Sequence, residues 1–163
     1  MADLVVFFSF EGNTEYVADK ICEQTGADKL CLIPKKAYKG EGFTKFIWLG
    51  RSAVMAEKPA LEDYSVDLGK YDRVIFGFPV WASNVTPPLR TFILENKESL
   101  QGKRFVSFAC QAGNGAQKAF PKLAKLLGVD SLEKTEVFID PKAQQSEEKD
   151  AQIDAFCDYL KNG

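Results

Sequence analysis

The chain contains no histidine. That excludes imidazole bases, His metal ligands and every Ser-His or Cys-His nucleophile. Cysteine is sparse, and Cys22, Cys31, Cys110 and Cys157 lie far apart with no C-x-x-C pair. Such spacing suggests no zinc site, iron–sulfur cluster or dithiol couple. The thiols are expected to be reduced and mostly buried, as in a cytoplasmic protein. Long apolar runs are also missing. Leu4 to Phe8 is too short for a signal peptide's apolar region, has no basic flank, and no other stretch approaches a membrane span. A soluble, cytoplasmic protein is expected. Clustered positive charge is absent as well: Lys35-Lys36 is the densest basic spot, Glu41 follows soon after, and the net charge is −2. Nucleic acid is therefore not expected as the main partner, because phosphate backbones are held by grouped Lys and Arg.

What is present fits one domain. The chain has 163 residues, enough to bury a real core. Leu4 to Phe8 is a continuous apolar and aromatic run, the pattern of a strand covered on both faces. After a polar break at Ser9 to Thr14 the period changes to helical, with Val17, Ala18, Ile21 and Cys22 in phase and Gly26 as the stop. Lys29 to Ile33 predicts a second strand. The segment from Pro34 to Tyr71 is the least regular, with a short helix expected near Phe43 to Leu49 and another turn or two before Pro59. Arg73 to Phe78 predicts a third strand. A helix follows to about Asn96, with Thr86 as its cap and Pro87 or Pro88 in its first turn. Arg104 to Cys110 predicts a fourth strand, Ala116 to Leu127 a helix, Leu132 to Ile139 a weaker fifth strand, and Gln144 to Leu160 the last helix.

Alternation of this kind forces parallel strands, right-handed crossovers and helices on both faces, a three-layer α/β/α sandwich. Ligands in such sheets bind beyond the carboxyl ends of the strands. Three loops therefore carry the functional reading. The first, Ser9-Phe10-Glu11-Gly12-Asn13-Thr14, opens a helix whose unpaired N–H groups favour an anion. Gly12 allows close backbone approach, Ser9, Asn13 and Thr14 add neutral donors, and no Lys or Arg is present. A phosphate there is expected to be held by dipoles rather than a point charge. G-x-x-x-x-G-K-[ST] is absent, so this is not a P-loop.

S-x-x-G-N-T after the first strand resembles the FMN-phosphate loop of flavodoxins, commonly [TS]-x-[TS]-G-x-T. Glu11 departs from that pattern. A carboxylate beside a phosphate dianion is unfavourable unless it points outward, so Glu11 is expected to offer its backbone N–H. The second loop strengthens the resemblance: G-F-P-V-W…P-P-L-R-T-F is similar to the G-x-P-V-W…P-P segment of flavodoxin-like oxidoreductases. The resemblance implies that Pro79, Val80, Trp81, Ala82, Ser83 and Asn84 border an isoalloxazine ring, with Trp81 placed to stack on it. The third loop, Gln111, Ala112, Gly113, Asn114 and Gly115, would touch the pyrimidine edge. Lys118 stands where a third glycine would complete a dinucleotide fingerprint, so that reading does not apply. Many flavodoxins place a Tyr in this loop and this chain has none, which leaves Tyr38, Trp48 or Tyr64 of the long connection as possible cover for the second ring face. Arg51 of that connection is either a surface charge or a group reaching the ligand. Cys110 reads as a buried thiol, with no basic neighbour to lower its pKa.

The resemblance spans nearly the whole chain and implies a five-stranded parallel sheet in the order 2-1-3-4-5, which general knowledge of this fold supplies rather than the residues. A response-regulator receiver shares the fold, but its acidic positions read Ser9-Phe10 and Pro79-Val80 here. Two functions stay open. One is an FMN electron carrier passing single electrons between protein redox partners; loops without Lys or Arg would stabilise the reduced, anionic flavin poorly and favour a low potential. The other is an FMN-dependent oxidoreductase reducing a small molecule such as a quinone with NAD(P)H, its pocket formed by the long connection. In both the cofactor carries the chemistry. A binding module that has lost its flavin is a third class.

Overall fold

A computed structural model describes residues 2–36 and 58–163. Among the described residues five strands alternate with four helices: β1 (Asp3–Phe7), α1 (Asn13–Thr25), β2 (Asp28–Cys31), β3 (Arg73–Pro79), α2 (Pro87–Glu95), β4 (Arg104–Gln111), α3 (Ala116–Leu127), β5 (Lys134–Ile139) and α4 (Glu147–Asn162). The strands form one sheet in the order β2-β1-β3-β4-β5. Every neighbouring pair is parallel. The fold is flavodoxin-like α/β, as the sequence resemblance implies.

Apolar runs in β1, β3 and β4 feed two cores because alternate side chains leave opposite faces of a strand. Leu4, Val6 and Phe76 join Leu89, Phe92, Ala119 and Leu123, so α2 and α3 cover one face. Val5, Phe7, Ile75 and Phe108 join Val17, Ile21, Ile153 and Phe156, so α1 and α4 cover the other. Gly77 in β3 is required by close approach: a Cβ there would lie 2.2 Å from Phe108 Cζ. At the amino end of the sheet Arg73, only 3% exposed, reaches Asp3 Oδ2 at 2.5 Å and the Leu160 carbonyl at 2.5 Å. That bond ties β1 and β3 to the end of α4.

Several boundaries shift for local reasons. Helix α4 starts at Glu147 instead of Gln144, because the Ser146 hydroxyl accepts the Lys149 N–H at 3.2 Å and fixes the cap there. Thr86 does occupy the cap position of α2, yet its hydroxyl does not cap; it is buried without a partner, and the Thr86 carbonyl accepts the Leu89 N–H at 3.1 Å instead. Edge strand β2 is largely exposed, and Cys31 with it, so the cysteines are less buried than expected. The long connection leaves and returns along the β2 side: Lys35 N–H donates to the Ala60 carbonyl at 2.9 Å, and Glu62 N–H to the Ile33 carbonyl at 2.6 Å. The helices expected near Phe43 to Leu49 and before Pro59, together with Tyr38, Trp48 and Arg51, lie outside the described residues. Among the described residues no helix is long and apolar enough to cross a membrane.

Candidate functional site

Beyond the carboxyl ends of β1, β3 and β4 lies a cleft of about 380 Å3, a size suited to a small organic ligand. Its lining draws on all three loops read from the sequence: Ser9, Phe10, Glu11, Asn13 and Thr14 from the first, Pro79, Val80, Trp81 and Ala82 from the second, and Gln111, Ala112, Gly113 and Asn114 from the third. Gly12, Ser83, Asn84 and Gly115 of the same loops are not in the lining of the cleft. Cys110 and Asp140 also line it. Asp140 belongs to a fourth strand-end loop outside the three expected ones, and the Asp140-Pro141 break directly after β5 is its signal in the sequence.

The first loop is built as an anion cradle. Gly12 caps α1 in the left-handed region at φ 96° without a side-chain cap, so the helix begins with N–H groups that have no carbonyl four residues back. Ser9 Oγ takes one of them, the Glu15 N–H, at 3.2 Å. Asn13 differs from its expected role as a free donor: its Oδ1 accepts the Lys142 N–H at 3.0 Å and ties this loop to the β5–α4 connection. Thr14 is 1% exposed, and its Oγ1 makes no hydrogen bond. The Cys110 thiol is near enough for the Thr14 hydroxyl to lower its pKa, but among the described residues no nitrogen or oxygen pairs with that hydroxyl. A buried hydroxyl left unpaired costs free energy unless a ligand satisfies it, and a phosphate oxygen at the helix start would do so.

The second loop turns tightly. Asn84 N–H donates to the Trp81 carbonyl at 3.0 Å, and Ala82 and Ser83 between them both have positive φ, 48° and 59°. These are the angles of a type I′ turn, uncommon for residues with a Cβ. Neighbours hold it: Asn84 Nδ2 donates to the Ala82 carbonyl at 2.8 Å, while Lys122 Nζ of α3 donates to the Ser83 carbonyl at 3.1 Å and to Asn84 Oδ1 at 2.7 Å. Trp81 differs from a free stacking platform. It is 7% exposed, and its ring meets Phe8 and Phe10 edge to face at 5.5 and 5.9 Å. Aromatic pairs favour this geometry; the three rings form one wall of the cleft.

The third loop is pinned at both ends. Val80 N–H donates to the Cys110 carbonyl at 3.0 Å, and Gln111 Oε1 accepts the Ala116 N–H at 3.1 Å, capping α3. Ala112, Gly113 and Asn114 between these anchors are exposed. Burial pushes the Cys110 thiol up to about 12, with the Thr14 hydroxyl opposing and the Asp140 charge adding. Cys110 is therefore a protonated wall residue, the buried thiol expected from its surroundings.

Two further expectations change. Tyr64 does not cover the cleft. Its ring packs 5.5 Å from Phe92, and its hydroxyl donates to Glu95 Oε2 at 2.7 Å at the end of α2. Helix α2 runs back from the carboxyl edge for nine residues, about 13 Å, and neither Tyr64 nor Glu95 lines the cleft. The loops themselves carry no Lys or Arg, but the fold brings two cations to them: Lys122 on the second loop, and Lys142, whose Nζ would lie 2.9 Å from a Cβ built on Gly12.

Comparison with known proteins agrees with this geometry. Residues 2–146 match the family model described as flavodoxin. A Bacteroides eggerthii protein provisionally classed as a flavoprotein shares 27% identity at TM-score 0.72, covering 98% of this chain and 97% of that one. A Lactobacillus acidophilus flavoprotein solved in complex with FMN superimposes at TM-score 0.73 with 16% identity, covering 94% of this chain and 97% of that one. Flavodoxin 2 of Bacillus cereus aligns at TM-score 0.59 and 17% identity over 99% of both chains; the two lower identities speak to the fold alone. No curated protein matches in sequence. The family match over most of the chain, on this sheet order, makes the chain a member of the flavodoxin family.

Proposed function

We propose that this chain is a single-domain FMN carrier that passes electrons between protein partners in the cytoplasm. The cofactor is FMN. The observation that carries this is the cleft itself: a helix start with the orphaned Thr14 hydroxyl for the phosphate, and two further strand-end loops for the ring. Bound FMN supplies one-electron chemistry that no side chain here can perform. The residues hold and shield it: Ser9 to Thr14 for the phosphate, Pro79 to Asn84 and Gln111 to Gly115 around the ring.

Three features support a carrier. Ala82 and Ala112 to Asn114 are exposed at the rim, so a ring edge held there faces outward, where a partner protein can approach. The Cys110 thiol stays protonated, so among the described lining residues no thiolate competes with the flavin. The Asp140 carboxylate in the lining disfavours negative charge gathering nearby, which favours a low potential.

Asp140 also favours a second reading. A carboxyl group in the cleft can exchange a proton with a bound molecule, as an FMN-dependent oxidoreductase reducing a quinone with NAD(P)H would require. Anaerobic titration of the FMN-loaded protein separates the two. The carrier reading expects reduction in two separable one-electron steps and no NAD(P)H oxidation. Rapid two-electron reduction by NAD(P)H would overturn it.

A further inference from the structure

We infer that Lys142 is the point-charge partner of the cofactor's phosphate, supplied from the β5–α4 connection to a loop that has no cation of its own; this rests on the FMN reading above. The Lys142 side chain lies along the bare face of Gly12: a Cβ there would meet Nζ at 2.9 Å, Cδ at 3.4 Å and Cε at 3.7 Å. Its backbone is fixed to the same loop through the Asn13 Oδ1 bond at 3.0 Å. One residue further on, the buried Thr14 hydroxyl has no partner. The helix start, an unsatisfied buried donor and an ammonium thus converge on one turn. Among the described residues no ion pair engages the Lys142 ammonium.

Charge balance explains why a cation is needed. A phosphate monoester carries about −1.5 to −2 at neutral pH, and a helix start offers only about half a positive charge. An ammonium beside Gly12 adds the further positive charge and a charge-assisted hydrogen bond. Gly12 accordingly has two tasks: it adopts φ 96°, and it leaves room for the lysine to cross the loop. The consequence is specificity. Lys142 distinguishes a flavin that carries a terminal phosphate from one that does not.

The test compares FMN with riboflavin, which has the same ring and no phosphate. Apoprotein is titrated with each by quenching of flavin fluorescence, for wild type, K142M and K142R. FMN affinity is expected to fall about tenfold or more in K142M while riboflavin affinity holds, so the preference for FMN shrinks by the same factor. K142R should keep the preference within about threefold, since its charge persists. Riboflavin binding also reports that the variant site is folded. An unchanged FMN-to-riboflavin ratio in K142M would overturn the assignment of Lys142 alone. A wild-type protein that takes up neither flavin would overturn the FMN reading itself.

Discussion

Gly115 and Ser83 lie so close that a Cβ on the glycine would sit 2.7 Å from Ser83 Oγ and 3.2 Å from its Cα. This approach locks the second loop against the third, and Gly115 also holds φ 112° at the start of α3. Gly115→Ala should therefore part the two loops as well as strain the backbone. A stability loss of about 1–3 kcal/mol is expected, read by denaturant melting, with FMN affinity falling by more than stability alone explains. Melting and affinity both unchanged would show that the loops have slack.

Thr14→Val separates the anion cradle from the packing. Valine keeps nearly the same shape and removes the buried hydroxyl that has no partner. Without cofactor the variant should melt no lower than wild type, since leaving a polar group unsatisfied is what costs. FMN affinity should drop about tenfold, or roughly 1.4 kcal/mol, with riboflavin affinity unaffected. A lower melting temperature in the apoprotein would mean that the hydroxyl already serves the fold.

At the opposite end of the sheet, Asp3→Ala should strand the buried Arg73 guanidinium. The pair is 2.5 Å apart and Arg73 is 3% exposed, so losing one partner leaves an uncompensated charge costing about 3–5 kcal/mol. Replacing both residues with apolar ones of similar volume should recover most of that loss. The ends of the sheet are separate, so surviving folded variants should bind FMN as wild type does.

Thiol reactivity should follow exposure. Cys31 is exposed on β2, and although desolvation raises its thiol as well, burial pushes Cys22 and Cys157 up to about 11 and Cys110 up to about 12. Thiolate is the reactive form, so at pH 8 an alkylating reagent should label Cys31 first by peptide mass mapping, and Cys110 last. Early labelling of Cys110 would mean that the cleft opens to solvent more than its packing allows.

The strands were legible where they are buried on both faces, because Leu4 to Phe8 is an unbroken apolar run and Val74 to Phe78 and Phe105 to Cys110 are nearly so. Their loops followed from the alternation of elements. What the sequence hides is long-range pairing. Nothing local reveals that Trp81 packs edge-on against Phe8 and Phe10, or that Tyr64 answers to Glu95 at the far end of α2. Lys142 lies 130 residues from Gly12 and meets it because the chain after β5 turns back to α4, which packs beside α1; nothing inside the first loop signals it. Asp140 was nearer to view, at the end of a strand that had been recognised.

The most direct measurement is titration of the apoprotein with FMN, followed by loss of flavin fluorescence and by the visible absorbance of the separated protein. Saturable uptake of one FMN per chain, weakened by Thr14→Val and by Gly115→Ala, is the expected result. A chain that folds with this sheet yet stays colourless in excess FMN would contradict the assignment of the cleft.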